Sequence, residues 1–353
     1  MTEKVRSDVK AGLTTGSIDQ VRGIGKTFSP IRLELAKNAI GSVVDEMVLT
    51  VVRVAYSPGI KDTMDVSSAF CDRNGSMVAQ GLSLPAHLGS VPDAMAAVIE
   101  KYGHDFAPGD VVILNDPFQG GMHLPDIFVI KPVFVNGETL LGYALVVAHH
   151  NDVGGRVPGS SAADSTEIYQ EGLRIPVLKL YERGKANEAV IDLIRVNGRT
   201  PETTIGDIQA QLAACRIAER GMQKLVDRWG TVELEHCFEE LLAYSEREAR
   251  RTISLIPDGV YSFEDHLDDD GITDGKPVKI RVTATVSGSE LFVDLTGSAP
   301  QVAGAINSTL SFTKSAVYFV VRSLMDADVP NNAGFFRPIK VTAPPGCVAN
   351  VVL

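Results

Sequence analysis

Apolar residues recur at spacings of three and four from Leu33 through Ala36, Ile40, Val43, Val44, Met47 and Val51, the pattern of a helix that buries one stripe. Ser29 can cap this helix, Pro30 suits its first turn, and Ser57-Pro58 stops it. The period then changes. Val66–Cys71 and Ser76–Gln80 flank Asn74-Gly75, a dipeptide that tolerates the positive φ angles of a tight hairpin turn. A short helix is predicted over Pro92–Tyr102, closed by Gly103. Val111–Leu114, Ile127–Val135 and Leu140–Ala148 are continuous apolar runs, the last two joined through Asn136-Gly137, and they predict strands of one buried sheet. Between Gly206 and Gly230 the residues Ile208, Leu212, Cys215, Met222, Leu225 and Val226 fit a helical stripe, and a more charged helix runs on to about Leu255. Beyond Pro257, Val278–Val286 and Leu291–Leu295 alternate as paired strands around Ser287-Gly288, and Leu310–Met325 predicts another helix.

These elements predict a mixed α+β fold in several layers, with central β-sheets and packed helices. The change of character near residue 256 divides it. Residues 1–28 mix glycine, hydroxyl residues and charge without periodicity and are expected to form a flexible tail. Residues 29–255 form the catalytic core, and residues 256–353 a second α/β region. The last residues, Val351-Val352-Leu353, follow Pro344-Pro345-Gly346 as an apolar run without a polar tail, so that region is expected to be incomplete at its C-terminus, in a truncated or split polypeptide.

Composition narrows the function classes. With 353 residues, 44% of them hydrophobic, the chain can bury a substantial core. A net charge of -11 with scattered basic residues excludes a nucleic-acid groove. Cys71, Cys215, Cys237 and Cys347 lie far apart and read as reduced thiols rather than a zinc knuckle or a disulfide framework. The charged N-terminus lacks the apolar run of a signal peptide, and no stretch has membrane-spanning length, so a cytoplasmic, membrane-free protein is expected.

Three of the seven histidines, His123, His149 and His150, lie between Asp116 and Asp152 with Asp126 among them. The proline of His123-Leu124-Pro125-Asp126 excludes a regular helix, so imidazole and carboxylate are presented from a rigid turn, and Gly120-Gly121 lets the backbone approach closely before it. Consecutive strand residues point to opposite faces, so one of His149 and His150 is a ligand and the other supports it or meets substrate. Imidazoles with carboxylates suit Zn²⁺, Mn²⁺ or Fe²⁺ better than Ca²⁺. Other motifs fail: Gly23-Ile24-Gly25-Lys26-Thr27 has Gln20 where a phosphate loop needs glycine, Asp268-Asp269-Asp270-Gly271 lacks the ligand spacing of a calcium loop, and there is no Gly-x-Ser-x-Gly elbow.

In chain order stand Ala55-Tyr56-Ser57-Pro58-Gly59-Ile60-Lys61, Asp65-Val66-Ser67, Pro85-Ala86-His87-Leu88-Gly89-Ser90, Asn115-Asp116-Pro117, His123-Leu124-Pro125-Asp126-Ile127 and His149-His150-Asn151-Asp152-Val153-Gly154-Gly155. Gln170-Glu171-Gly172-Leu173-Arg174-Ile175-Pro176, Gly206-Asp207-Ile208-Gln209-Ala210-Gln211 and Asp294-Leu295-Thr296-Gly297 follow. This ordered set resembles the hydantoinase B/oxoprolinase family. The resemblance implies that a hydantoinase A type partner binds ATP and phosphorylates the substrate, while this B-type chain converts the activated intermediate with a divalent metal. It implies metal ligands at Asp65, His123, Asp126 and His149, with His150, Asp152 and Asp116 orienting them or moving protons. ATP would be bound by the partner rather than by this chain. Ring opening of a cyclic amide is the leading activity, the α-subunit role in an acetone carboxylase type ketone carboxylase the second, and a scaffold for the ATP-binding partner, holding a structural metal, a third.

Overall fold

A computed structural model describes residues 29–353 apart from 82, 83, 85, 86 and 88. The expected tail of residues 1–28 and the Gly23–Thr27 segment lie outside the described residues, as do Pro85, Ala86 and Leu88. The apolar stripe beginning at Leu33 forms α1 (Pro30–Val54), with Pro30 at its start and Ala36, Ile40, Val44, Met47, Val48 and Val51 buried. Ser57-Pro58 ends that run and begins a short second helix, α2 (Pro58–Thr63). The predicted hairpin is β1 (Val66–Asp72) and β2 (Met77–Gln80), its turn fixed by the Asp72 carboxylate, which accepts from the amides of Asn74 and Ser76.

α3 (Ser90–Tyr102) starts two residues ahead of the prediction, followed by β3 (Val111–Leu114), β4 (Asp126–Val135) and β5 (Thr139–His149). An unpredicted hairpin, β6 (Leu178–Glu182) and β7 (Lys185–Ala186), adds an edge, and α4 (Glu188–Asn197) likewise lies outside the predicted elements. These strands form one antiparallel sheet of order β2-β1-β5-β4-β3-β6-β7. The long helices α5 (Pro201–Trp229) and α6 (Thr231–Ile253) come next.

A second, four-stranded sheet has the order β11-β10-β9-β8, built from β8 (Gly259–Leu267), β9 (Val278–Ser287), β10 (Glu290–Asp294) and β11 (Ile339–Thr342). α7 (Leu310–Leu324) lies between β10 and β11 in the chain. β8 escapes a pattern search because its residues are almost all exposed at the sheet edge, leaving no buried face to impose alternation. The mixed α+β architecture is thus the expected one. No described helix is long and apolar enough to cross a membrane.

Two apolar clusters sandwich the large sheet. One joins Val66, Phe70, Ile127, Val129, Val146 and Ala148 to residues of α1, α5 and α6. The other joins Ala69, Cys71, Phe128, Ile130, Leu145 and Val147 to α3, α7 and the second sheet. Alternate residues of β1, β4 and β5 therefore go to opposite layers, as the period of two along a strand requires.

Candidate metal centre

The site lies where β4 begins and β5 ends. Asp126 is paired in register with His149, and Ile127 with Ala148. Phe128 and Val147, two residues inward from that pair, belong to the α3/α7 layer, so Asp126 and His149 open onto the same layer. His150 takes the other side. Its backbone N–H donates to Pro125 O at 2.8 Å, tying the end of β5 to the His123–Asp126 turn.

That turn is held from several directions. The Asn115 amide donates to Leu124 O at 2.6 Å and to Leu173 O at 2.9 Å, and accepts from Ile175 N at 2.6 Å. Gly120 has φ +89°, and a Cβ on it would stand 2.2 Å from Ala94 N; one on Gly121 would stand 2.4 Å from Asn115 O. Only glycine permits that approach.

Ligating atoms of His123, Asp126 and His149 lie within 4.8 Å of one another. His123 Nδ1 is 3.0 Å from Asp126 Oδ2, and His149 Nδ1 is 2.7 Å from Oδ1. Asp126 is also bound by the His123 backbone amide. Its side chain is 2% exposed, whereas that of His123 is 64% exposed and faces outward. Burial alone would raise the Asp126 pKa, but hydrogen bonds from His123 and His149 outweigh it and hold the carboxylate far below its usual range. The Asp126 hydrogen bond raises His123. Burial lowers His149, yet Asp126 outweighs that and leaves it raised. Two imidazoles drawn onto one buried carboxylate, reachable from solvent through His123, form a mixed nitrogen and oxygen donor set that fits a divalent transition metal.

The other expected residues are placed differently. Asp65 accepts from His149 N through its backbone oxygen at 3.0 Å, and its negative charge raises His123 and His149, but it stands outside the group of three. Asp116 caps a short turn by accepting from Phe118 N and lies 3.6 Å from Arg174 Nε. Asp152 accepts from the amides of Gly154, Gly159 and Arg199 and from Arg199 Nη1. Burial would raise it, but those bonds outweigh burial and lower it, so its lone pairs are spent on clamping a glycine-rich loop. His150 is fully buried; its Nε2 meets Gln211 Oε1 at 3.1 Å, and burial lowers its pKa against the charge of Asp207.

Three contributors escape sequence reasoning, although each stands inside one of the ordered motifs. Gln211 Nε2 donates to Ile127 O and Val146 O at 2.8 and 3.1 Å, so one buried amide joins β4, β5 and His150 from the α5 side. Glu171 is raised by burial, while His123 pulls it back. His87 binds Ser67 Oγ through Nδ1 at 2.7 Å and is lowered by burial. From the second region, the Phe312 ring of α7 stands 6.1 Å from the His123 ring. No spacing rule marks these residues, because each acts through a neighbour that only the fold supplies.

Comparison with known proteins adds the lineage. The chain is 36% identical over 325 residues to the caprolactamase β subunit of Pseudomonas jessenii, covering 92% of this chain and 55% of that protein. It is 35% identical over 344 residues to the putative D-/L-hydantoinase B subunit of a Pseudomonas species, covering 93% and 58%. The chain thus spans little more than half the length of these relatives. The crystal structure of the ATP-dependent caprolactamase from Pseudomonas jessenii superposes with a TM-score of 0.84 at 34% identity over 93% of this chain and 56% of that one. A nucleotide-free acetone carboxylase shares the fold, with a TM-score of 0.81 at 17% identity over 91% of this chain and 44% of that one. The family profile described as hydantoinase B/oxoprolinase matches residues 29–352, and the chain belongs to the hydantoinase B/oxoprolinase family.

Proposed function

We propose that this chain is the catalytic B-type component of an ATP-dependent cyclic amide hydrolase, acting in the cytoplasm on an intermediate phosphorylated by an ATP-binding A-type partner. The observation that carries the reading is the convergence of His123, Asp126 and His149 at one end of the sheet, in a chain whose relatives carry the names caprolactamase and hydantoinase. Those relatives are named as single subunits of larger enzymes, which supports a hetero-oligomer, and the sequence offers no phosphate loop of its own. His123, Asp126 and His149 would hold a Zn²⁺, Mn²⁺ or Fe²⁺ ion, which when bound supplies Lewis acidity toward an acyl oxygen.

The chain's own groups do the rest. Asp126 fixes both imidazoles, and the buried face of β5 keeps water from behind the site. Asp152, saturated with donors, is given a loop-holding role, and His150 a positioning role on the opposite side of the sheet.

The test is to co-express the chain with an ATP-binding subunit of the hydantoinase A type. ATP hydrolysis is then measured with hydantoin, 5-oxoproline, caprolactam, and acetone plus bicarbonate. Turnover with a cyclic amide is expected, and His123→Ala should abolish both bound metal and turnover. Bicarbonate-dependent turnover of acetone alone would select the carboxylase reading, and retention of metal and activity by His123→Ala would sink the site assignment.

A further inference from the structure

A cleft of about 720 Å³ is built from both regions of the chain, and no residue of the metal centre lines it. Its volume is within the roughly 300–1,000 Å³ of sites that hold small molecules. One wall is α3, whose Asp93 and Glu100 both line it. Seven residues apart, they share a helix face and stand about 10 Å apart along its axis. The other wall is Lys314 and Tyr318 of α7, with Phe336 and Arg337 from the residues before β11. Between the walls the surface is apolar. The Tyr318 and Phe336 rings stack at 4.1 Å with 18° between their planes, and Ile99 joins them from α3.

The charges are sorted by wall: α3 supplies two carboxylates, and the opposite wall supplies two cations. One pair closes across the cleft, since Lys314 Nζ is 3.0 Å from each carboxylate oxygen of Asp93, to which Ser311 Oγ also donates at 2.7 Å. The other pair stays open. Arg337 turns Nη1 to Glu246 of α6 at 3.0 Å, outside the cleft, and its side chain is 47% exposed. A guanidinium has five N–H donors, so most of them remain for a ligand. Glu100 on the facing wall is exposed as well. A complementary ligand carries an apolar body for Ile99, Tyr318 and Phe336, an ammonium for Glu100 and a carboxylate for Arg337. An uncharged apolar molecule would instead cover both charges without pairing them, at a desolvation cost.

We propose that this cleft binds a zwitterionic amino acid with an apolar body, its carboxylate on Arg337 and its ammonium on Glu100. Hydrolysis of a lactam makes such a molecule: the C–N bond breaks, the oxygen of water goes to the carbonyl carbon as carboxylate, and both its protons end on nitrogen as ammonium. The occupant is therefore the ring-opened product, an identification that rests on the function proposed above; the zwitterion class rests on the cleft alone. Both walls also border the metal centre. Phe312, two residues before Lys314, has its ring 6.1 Å from that of His123, and a Cβ on Gly120, ahead of the His123 turn, would stand 2.4 Å from the Asp93 carbonyl carbon.

The experiment uses the complex with an ATP-binding subunit of the hydantoinase A type and titrates it calorimetrically with 6-aminohexanoate, hexanoate and hexylammonium. Wild type is compared with Glu100→Gln, Arg337→Gln, Arg337→Lys and His123→Ala, each checked by thermal unfolding. 6-Aminohexanoate should saturate wild type with a Kd of about 1 mM. Hexanoate and hexylammonium, each lacking one charge, should bind about fivefold more weakly or worse, and Glu100→Gln and Arg337→Gln should weaken 6-aminohexanoate by a similar factor. Hexanoate should not sense Glu100→Gln, nor hexylammonium Arg337→Gln, because neither probe carries the charge that the lost group meets. Arg337→Lys keeps the cation and should retain most of the affinity, which separates ligand binding from loss of the Glu246 pair. His123→Ala should leave the Kd unchanged. The proposal is overturned if 6-aminohexanoate fails to saturate wild type, or binds the folded glutamine variants as it binds wild type. It is overturned too if His123→Ala alone abolishes binding, which would put the ligand at the metal. If the complex hydrolysed no cyclic amide while binding still depended on Glu100 and Arg337, the product identification would fall and the zwitterion site would stand; hydrolysis without such binding would strike the site and leave the function.

Discussion

Replacing Gln211 by leucine tests whether one buried amide sets the distance between the two strand ends that carry the metal centre. The substitution nearly conserves volume, so the cavity cost is small and polar satisfaction dominates. Gln211 Nε2 donates to both Ile127 O and Val146 O, which fixes the amide so that Oε1 is the acceptor and His150 Nε2 carries the proton. Leucine strips a fully buried imidazole N–H of its partner, at about 1–3 kcal/mol, and removes two donors to strand carbonyls at about 0.5–1.5 kcal/mol each. The expected loss is about 3 kcal/mol, a large fraction of the roughly 5–15 kcal/mol that holds a domain folded. Urea unfolding followed by Trp229, the single tryptophan at the end of α5, gives the number. Gln209→Leu is the matched control, because Gln209 is exposed and makes one 3.3 Å contact with Tyr181; it should shift stability by less than about 0.5 kcal/mol. Zinc affinity of Gln211→Leu should fall by about tenfold, as for other groups that orient ligands from behind. A Gln211→Leu protein within about 0.5 kcal/mol of the Gln209 control would refute the reasoning.

In the metal-free protein, the stability difference between wild type and Asp126→Asn should depend on pH with a definite sign. Asp126 is depressed, so its contribution is present above its unfolded pKa of about 3.9 and is lost as pH falls toward its folded value; His123 and His149 are raised, so theirs is present below about 6.5 and is lost as pH rises through their folded values. The difference in urea midpoint should therefore be largest near about pH 5–6 and shrink above it, and a difference that grows from about pH 6 to 8 would contradict the hydrogen-bonded triad. Gly120→Ala adds a Cβ 2.2 Å from Ala94 N at φ +89°, where neither backbone can yield, and should cost about 2–4 kcal/mol by calorimetry. Gly137→Ala has the same φ with nothing within 4 Å and should cost only the left-handed strain of about 1–2 kcal/mol; equal losses at the two glycines would show that strain, not contact, sets both.

Much of the scaffold is written in periodicity. The stripe of α1, the Asn74-Gly75 hairpin, the apolar runs of β3, β4 and β5 and the helices α5 and α6 follow from local pattern, because burial on one or both faces leaves a repeat of 3.6 or 2 in the chain. Where burial leaves no repeat, the sequence is silent: β8 is exposed on an edge, and β7 is only two residues long. The site divides the same way. The crowding of His123, Asp126, His149 and His150 is visible in the chain, and so is the alternation that must separate the last two, since both are properties of sequence neighbours. Which histidine faces which layer is decided by the pairing of Asp126 with His149 and by α5, whose Gln211 claims His150 from the opposite side. Asp152 looks as reactive in sequence as Asp126; only the fold surrounds the first with amide donors and gives the second to two imidazoles. Residue type and spacing determine which chemistry is possible, whereas the number of donors around a carboxylate is a property of packing, and packing is settled by residues far away in the chain.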